Sequence, residues 1–381
     1  MKTNIVIIGA GISGVSIAYN LAKMGQKGII VIDKSYMTSG ATGRCGAGVR
    51  QQWATKSNCE MAKRSIEFFE IAEETLQYEG GIEFKQEGYL ILATNNEEVE
   101  QFKKNVELQN SIGIASRAIT VDEALKIVPH LNPDSFLMAT FCPTDGHLNP
   151  FLMTDAYYQA AKRLGVDFHF FENVKEIVSE HGQVQKVITD QDTYKTNIVV
   201  NAAGGYAREI GLMAGVEIPV YSEKHEILVT EPISRIQGPM VMSFSKNIYC
   251  QQVPHGSFLI GRGDPTVPHD HDITSTWHFL DEMAKTVADI LPKIGELRVI
   301  RQWAGSYNMS PDKQPIISDV PTLEGFFLAC GFSGHGFMFA PMTGILLSEI
   351  ILKKPTTLDV GDYHLHRFKT NTIRETEKSV V

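Results

Sequence analysis

No stretch of this 381-residue chain approaches the roughly 20 consecutive apolar residues that a helix needs to cross a bilayer. Cysteine is scarce and unpatterned: Cys45, Cys59, Cys142, Cys250 and Cys330 are odd in number, scattered and free of any C-x-x-C spacing. That excludes a disulfide framework and gives no sign of a zinc or iron–sulfur site. Lysine and arginine do not cluster; the last basic feature is a scatter of both late in the chain. With a net charge of −9 and a pI near 5.8, the sequence opposes binding to nucleic acid or to an anionic membrane surface. Internal repeats, low-complexity tracts and flexible linkers are also missing, and the chain enters its first strand without a leader, so a reducing cytoplasm is the expected compartment. At 43% hydrophobic and 21% charged residues, the chain can bury a large core, and its length predicts two domains.

What the sequence does contain is glycine at telling positions. Asn4 to Gly14 reads as a continuous apolar strand, Ile5 to Ile8, running into the turn Gly9-Ala10-Gly11-Ile12-Ser13-Gly14. Gly9 permits the tight turn, Gly11 lets backbone approach a pyrophosphate, and Gly14 lets the following helix pack on the sheet. Val15 to Met24 has helical spacing, and a second strand, Gly28 to Ile32, ends at Asp33. An acid there suits an adenosine ribose and repels a 2′-phosphate. Over 300 residues later the chain turns Gly-rich again, at Gly331-Phe332-Ser333-Gly334-His335-Gly336-Phe337. One long ligand touching both turns is the simplest explanation.

Between these turns the pattern leaves and re-enters the nucleotide-binding rhythm. A small-residue loop, 38–48, precedes a predicted helix from about Thr55 to Gln77. Phe84 to Ala93 is strand-like and leads into a polar helix, Glu97 to Ser111, which suggests a second domain. A helix at Thr154 to Leu164, a strand at Asp167 to Asn173 and another from Ile198 into Ala202-Ala203-Gly204-Gly205 return to the first. Strands from Tyr221 to about Arg301, with a helix at Trp277 to Leu291, belong to the second; Phe326 to Ala329 and the helix after His335 re-enter the first. The expected division is 1–82, 149–216 and 312–381 for the nucleotide domain, and 83–148 and 217–311 for the other. His269-Asp270-His271-Asp272 offers metal-ligand types, but in a Pro-flanked polar loop it reads as a solvated turn, and no metal site is expected.

Five segments together resemble a known family: GAGISG, GATGRCGAGVRQQW from Gly40 to Trp53, VVNAAGGYA from Val199 to Ala207, RQWAGSYNMSPDKQPII from Arg301 to Ile317, and ACGFSGHGFMFAP from Ala329 to Pro341. In this order they resemble the FAD-dependent amine oxidoreductases of the glycine oxidase, sarcosine oxidase and D-amino acid oxidase superfamily. Nearest in pattern are the β subunits of heteromeric sarcosine oxidase and dye-linked L-proline dehydrogenase, with the glycine-oxidising subunit of hydrogen cyanide synthase close by. The resemblance implies an α/β fold, a Rossmann-like FAD-binding domain interleaved with a mixed β-sheet α+β substrate domain. It implies FAD contacts along Gly9, Ala10, Gly11, Ile12, Ser13 and Gly14, at Asp33 and Lys34, and through the loop by Gly40, Ala41, Thr42, Arg44, Cys45, Gly46, Gly48 and Val49. Val174, then Ala202, Ala203 and Gly204, then Gly305 and Gly331 continue the path, which ends at Gly334, His335, Gly336, Phe337 and Met338. A single fingerprint would serve NAD, whereas a flavin dinucleotide also uses the later loop and the last glycines; FAD is therefore favoured. The final helix start would stabilise negative charge reaching the flavin.

The chain also departs from the family. The cysteine that tethers flavin in monomeric sarcosine oxidases is matched by Gly305, so FAD is expected to be noncovalent. The histidine that links FMN in heteromeric enzymes is matched by Pro150, so any FMN at a subunit interface would be dissociable. The strand Phe258 to Gly261 lacks the oxygen-activating lysine, and Met338 replaces a carboxylate-binding lysine. The expected function is hydride transfer from the C–N bond of a small secondary or N-methyl amino acid, of the L-proline or sarcosine class, in the catalytic subunit of a heteromer with an electron-accepting partner. A self-sufficient oxidase, a hydrogen cyanide synthase-like glycine dehydrogenase subunit, or a non-catalytic FAD-binding assembly subunit are the alternatives. Arg50 is the candidate carboxylate clamp, its planar fork suiting bidentate binding, with pairing to a structural acid or to the flavin as the other reading. His225, Tyr249 and Gln252 are candidates to shape the pocket, His225 equally as an ordinary core histidine, while His335 is expected to brace the flavin rather than exchange protons.

Overall fold

The computed structural model describes residues 1–264, 266–369 and 376–379. Its first sheet has six strands, in the order Ile316–Asp319, Phe326–Cys330, Val199–Asn201, Ile5–Ile8, Ile29–Asp33 and Asp167–Phe170. All neighbours are parallel except the edge strand Ile316–Asp319. The apolar run at the start of the chain follows from burial on both faces: Ile5 and Ile7 pack into one core with Val15 and Ile17, while Val6 and Ile8 pack into another with Val187 and Tyr194. Each such side chain contributes about 1.5–3 kcal/mol on burial.

Helix Ile12–Lys23 lies against helix Gly336–Ile351, where the Ser16 hydroxyl donates to the Ala340 carbonyl at 2.8 Å. The two glycine turns thus open two helices that pack side by side on one face of the sheet. The other face is covered by an antiparallel sheet of Val174–Glu180, Gln183–Thr189 and Thr193–Lys195, which the sequence reading does not anticipate. Its hairpin turns at His181-Gly182, both with positive φ, 51° and 76°.

The second sheet has eight strands, in the order Val299–Met309, Tyr221–Thr230, Phe258–Gly263, Ile248–Gln252, Met240–Ser243, Tyr89–Ala93, Met138–Cys142 and Arg117–Ile119. One pair, Met240–Ser243 with Tyr89–Ala93, is parallel and the rest antiparallel. Helix Trp277–Ile290 buries Phe279, Met283, Val287 and Ile290 against one face with Leu228, Cys250 and Ile260. Tyr249, Ile227, Met240 and Met242 occupy the opposite face.

Several elements differ from expectation. The helix predicted over 55–77 stops at Glu70, and a short turn, Ala72–Thr75, follows. The junction is Ile71, a β-branched, exposed residue at φ −114°, ψ 9°, whose amide closes a tight turn on Phe68. Residues 84–88 are not a strand; only Tyr89–Ala93 pairs in the sheet, and Lys85 makes an isolated bridge to His147. The loop 269–272 is solvent-exposed at His269, Asp270 and Asp272, as expected, and in addition His269 stacks on Tyr221, His271 stacks on Tyr206 and pairs with Glu209 at 2.7 Å, and Asp272 pairs with Lys224. Among the described residues no helix is long and apolar enough to cross a membrane.

Candidate functional site

The first turn is built by close backbone contact. Gly9 has φ +112°, and a Cβ there would lie 2.3 Å from the Ala202 carbonyl oxygen; a Cβ on Gly14 would lie 1.9 Å from the Gly9 carbonyl oxygen. Only glycine permits strand end, turn and helix to meet in this way. Ala10 donates its amide to Asp33 Oδ2 at 2.8 Å and Ser35 donates to Oδ1 at 2.9 Å, which fixes the Asp33 carboxylate beside the turn. Ile12 donates to Thr42 Oγ1 at 3.1 Å and thereby ties the loop holding Gly40 and the short helix Ala41–Arg44 to the same place, with Gly11 3.1 Å from that hydroxyl at its Cβ position. The helix that follows, which includes Ser13, has no side-chain cap and no acid in its first turn. Such an end leaves backbone N–H groups free for an anion.

The far end of the path is equally placed. Glu172 donates its amide to the Asp33 carbonyl at 3.0 Å, so the chain leading to Val174 runs alongside, although the Val174 side chain itself is in the core. Lys34 lies with Nζ 3.0 Å from the Tyr206 ring centroid, just past Ala202, Ala203 and Gly204. Arg44 donates to the Ala304 carbonyl at 3.2 Å and its own carbonyl accepts from Trp303 at 3.0 Å, joining the loop to the second sheet next to Gly305.

A cavity opens where residues 45–50, the Gly334 turn and the second sheet meet; Cys45, Gly46, Arg50, Tyr249, His335 and Met338 are among its walls, together with Gly48, Gly334 and Phe337. Val49 pairs with Gly146 behind it. Gly331 takes φ +69° and donates its amide to the Asn308 side chain, which anchors the turn. Helix Gly336–Ile351 begins at this cavity, again with no side-chain cap and no acid in its first turn. Burial pushes the Cys45 thiol up to about 11 and the Tyr249 hydroxyl well above its ordinary value, and it pushes the His335 imidazole down to about 3.

Arg50 is only 3% exposed. Its Nη1 donates to the Gln52 carbonyl at 2.5 Å, its Nη2 to the Ser379 carbonyl, and Nε–H has no partner among the described residues. Burial lowers its pKa, and the neighbouring Tyr89, Glu377 and Asp145 oppose that. Asp145 is itself pushed up to about 6 by burial, while accepting from the Gln51 amide at 2.8 Å and Gln52 Nε2 at 2.9 Å.

His225 sits deeper, its ring 4.1 Å from Tyr307 and 5.5 Å from Tyr249, both nearly parallel, with neither nitrogen hydrogen-bonded. Burial pushes it down to about 3. It is thus a neutral imidazole between two phenol rings and not a core histidine satisfied by backbone.

Gln252 is not at the cavity. Its Oε1 accepts from the Ile236 and Gln237 amides at 2.8 and 3.0 Å, and its Nε2 donates to the Gly256 carbonyl at 2.9 Å. Strand parity explains this: Tyr249 and Gln251 share one face of Ile248–Gln252, and Cys250 and Gln252 the other. Sequence reasoning missed Trp53, Tyr89, Met240, Met242 and Tyr307, which line the cavity, and Gln251, whose Nε2 donates to the Gly46 carbonyl at 2.6 Å.

A glycine turn at each of two uncapped helix ends, with an acid at the end of the second strand, defines a dinucleotide-binding oxidoreductase, and the residues fit FAD: the first helix end for its phosphates, Asp33 for its ribose and the second helix end for its ring. The family described as FAD dependent oxidoreductase, DAO, matches residues 4–350, and the chain belongs to it. Among curated relatives, sarcosine oxidase subunit beta of Rhodobacter capsulatus is 27% identical, over 97% of this chain and 89% of its own. Rat dimethylglycine dehydrogenase is 28% identical over 99% of this chain, which spans 46% of that longer protein. Among solved structures, that of L-proline dehydrogenase from P. horikoshii superposes with a TM-score of 0.92 and 39% identity, covering 97% of this chain and 98% of that one. The chain is an FAD-dependent oxidoreductase with the mixed α/β architecture of this family.

Proposed function

We propose that the protein is a dehydrogenase of a small secondary or N-methyl amino acid, of the L-proline or sarcosine class, working as the catalytic subunit of a heteromer. The observation that carries this reading is that Arg50, buried and without an ion-pair partner among the described residues, shares one cavity with the uncapped start of helix Gly336–Ile351. The names of the similar proteins, an L-proline dehydrogenase and a sarcosine oxidase β subunit, support both the substrate class and the partner.

When bound, FAD supplies a two-electron acceptor that takes a hydride at N5. The chain supplies the rest. Arg50 binds the substrate carboxylate through its remaining N–H groups, with Tyr249 and Met338 as apolar walls that orient the carbon. First-turn amides at Gly336, Phe337 and Met338 offer positive potential where negative charge develops. With burial holding the Cys45 thiol and Tyr249 hydroxyl protonated and the His335 imidazole a weak base, the substrate amine enters unprotonated or loses its proton to water.

The test is anaerobic bleaching of the visible flavin absorbance against L-proline, sarcosine, glycine and the corresponding amines without a carboxylate. Bleaching by secondary or N-methyl amino acids, with a rate that rises with pH and shows no limb near pH 6–7, supports the proposal. No bleaching by any amine sinks it in favour of a non-catalytic FAD subunit. Rapid reoxidation by oxygen without a partner protein would make the enzyme an oxidase.

A further inference from the structure

Glu377 is 0% exposed, and apart from Ser379 its carboxylate meets only residues more than 300 positions away. It accepts four hydrogen bonds: from the Ala54 amide at 3.2 Å, the Thr55 hydroxyl at 3.0 Å, Asn58 Nδ2 at 2.9 Å and the Ser379 amide at 2.9 Å. Its own amide donates to the Asp312 carbonyl at 3.1 Å, and the Asp312 carboxylate is gripped by Arg367 at 2.7 and 3.0 Å. Segment 376–379 is thereby pinned at one point, and two residues beyond that point the Ser379 carbonyl accepts from Arg50 Nη2.

The chemistry of this contact fits a support. A guanidinium has five N–H donors. The Gln52 and Ser379 carbonyls each take one and carry no charge, so they fix the plane of the group without neutralising it. Nε–H, buried and without a partner among the described residues, and a neighbouring Nη N–H remain as the adjacent pair that a carboxylate needs. We propose that Glu377 is a positioning residue: by docking segment 376–379 against the start of helix Lys56–Glu70 it holds the Ser379 carbonyl on Arg50 and orients the guanidinium for the substrate carboxylate. This rests on the reading of Arg50 as the carboxylate clamp.

The test uses the FAD-loaded protein and two pairs of amines that differ only in a carboxylate, L-proline against pyrrolidine and sarcosine against dimethylamine. Glu377→Gln keeps the shape but turns two acceptor sites into donors. It is expected to raise the Kd from anaerobic flavin reduction at least ten-fold for the carboxylated member of the pair that reacts, to leave its decarboxylated counterpart and the FAD content unchanged, and to add nothing in an Arg50→Ala background. Ser379→Pro, which removes one donor to Glu377 and leaves the other three, is expected to shift Kd in the same direction. An unchanged Kd in both variants, tighter binding of the carboxylated amine, or full additivity with Arg50→Ala overturns the proposal. If Arg50→Ala itself leaves the preference for the carboxylated amine intact, the clamp reading fails first and the role of Glu377 falls with it.

Discussion

The Arg50 guanidinium lies over Trp53, its central carbon 3.6 Å from the ring centroid, while the Trp53 indole N–H donates back to the Arg50 carbonyl at 3.1 Å. Arg50 and Trp53 therefore form their own platform, in which an aromatic face attracts the cation without pairing with it. Arg50→Lys retains the charge but loses both the fork and the stacking. Anaerobic titration is expected to show the Kd for a carboxylated amine rising on the order of 10–100-fold, with FAD retained. An unchanged Kd would remove Arg50 from the substrate site.

Gly14→Ala tests the first turn. The added methyl would meet the Gly9 carbonyl oxygen at 1.9 Å, so strand and helix must separate. Such overpacking costs about 1–3 kcal/mol and displaces the helix end that would hold the phosphates. The ratio of visible to protein absorbance after purification is expected to fall several-fold; a fully yellow variant contradicts the assignment.

Gln251 and Gln252 are neighbours with opposite tasks. Gln252→Leu strips the Ile236 and Gln237 amides of their acceptor and is expected to cost about 1–3 kcal/mol in urea unfolding while leaving amine affinity alone. Gln251→Leu releases the Gly46 carbonyl and is expected to shift the flavin's visible spectrum with little loss of stability. The reverse pattern would mean that the faces of the strand are exchanged.

His225 predicts a pH dependence of folding. Its folded pKa is pushed to about 3, whereas the ordinary value is 6.5. Between those values the unfolded chain binds the extra proton, so stability is full above about pH 6.5 and falls on acidification, by up to about 1.4 kcal/mol per pH unit for this residue. His335, pushed equally low, contributes in the same direction. Chemical denaturation between pH 4 and 7 is expected to show a shallower slope for His225→Phe than for the unsubstituted protein, and identical slopes would exclude a buried neutral imidazole.

The parts of the fold that were legible in the sequence are those whose signal is local. Ile5 to Gly14 announces strand, turn and helix within a few residues, because burial on both faces demands an unbroken apolar run and close packing demands glycine. His181-Gly182 carried a hairpin signal of the same kind, between short half-exposed strands whose alternation is weak. Arg50 was legible as a cation beside a glycine-rich loop, but the Ser379 carbonyl that meets it lies 329 residues away, and no spacing rule connects the two. The loop 269–272 is exposed as its polarity suggests, but its contacts with Tyr206, Glu209, Tyr221 and Lys224 join residues far apart in sequence, which no local pattern announces. Parity alone separates Tyr249 from Gln252, three positions apart, and it was available from the sequence.

The central strand Ile5–Ile8 is flanked by Val199–Asn201, which in turn leans on Phe326–Cys330. During synthesis the first strand emerges with only one of its two neighbours, and the second arrives nearly two hundred residues later. At about 5–20 residues per second, tens of seconds pass before the sheet can close. Throughout that interval the first strand lacks one of its neighbours, and the second glycine turn, from Gly331 onward, is the last part of the path to be made.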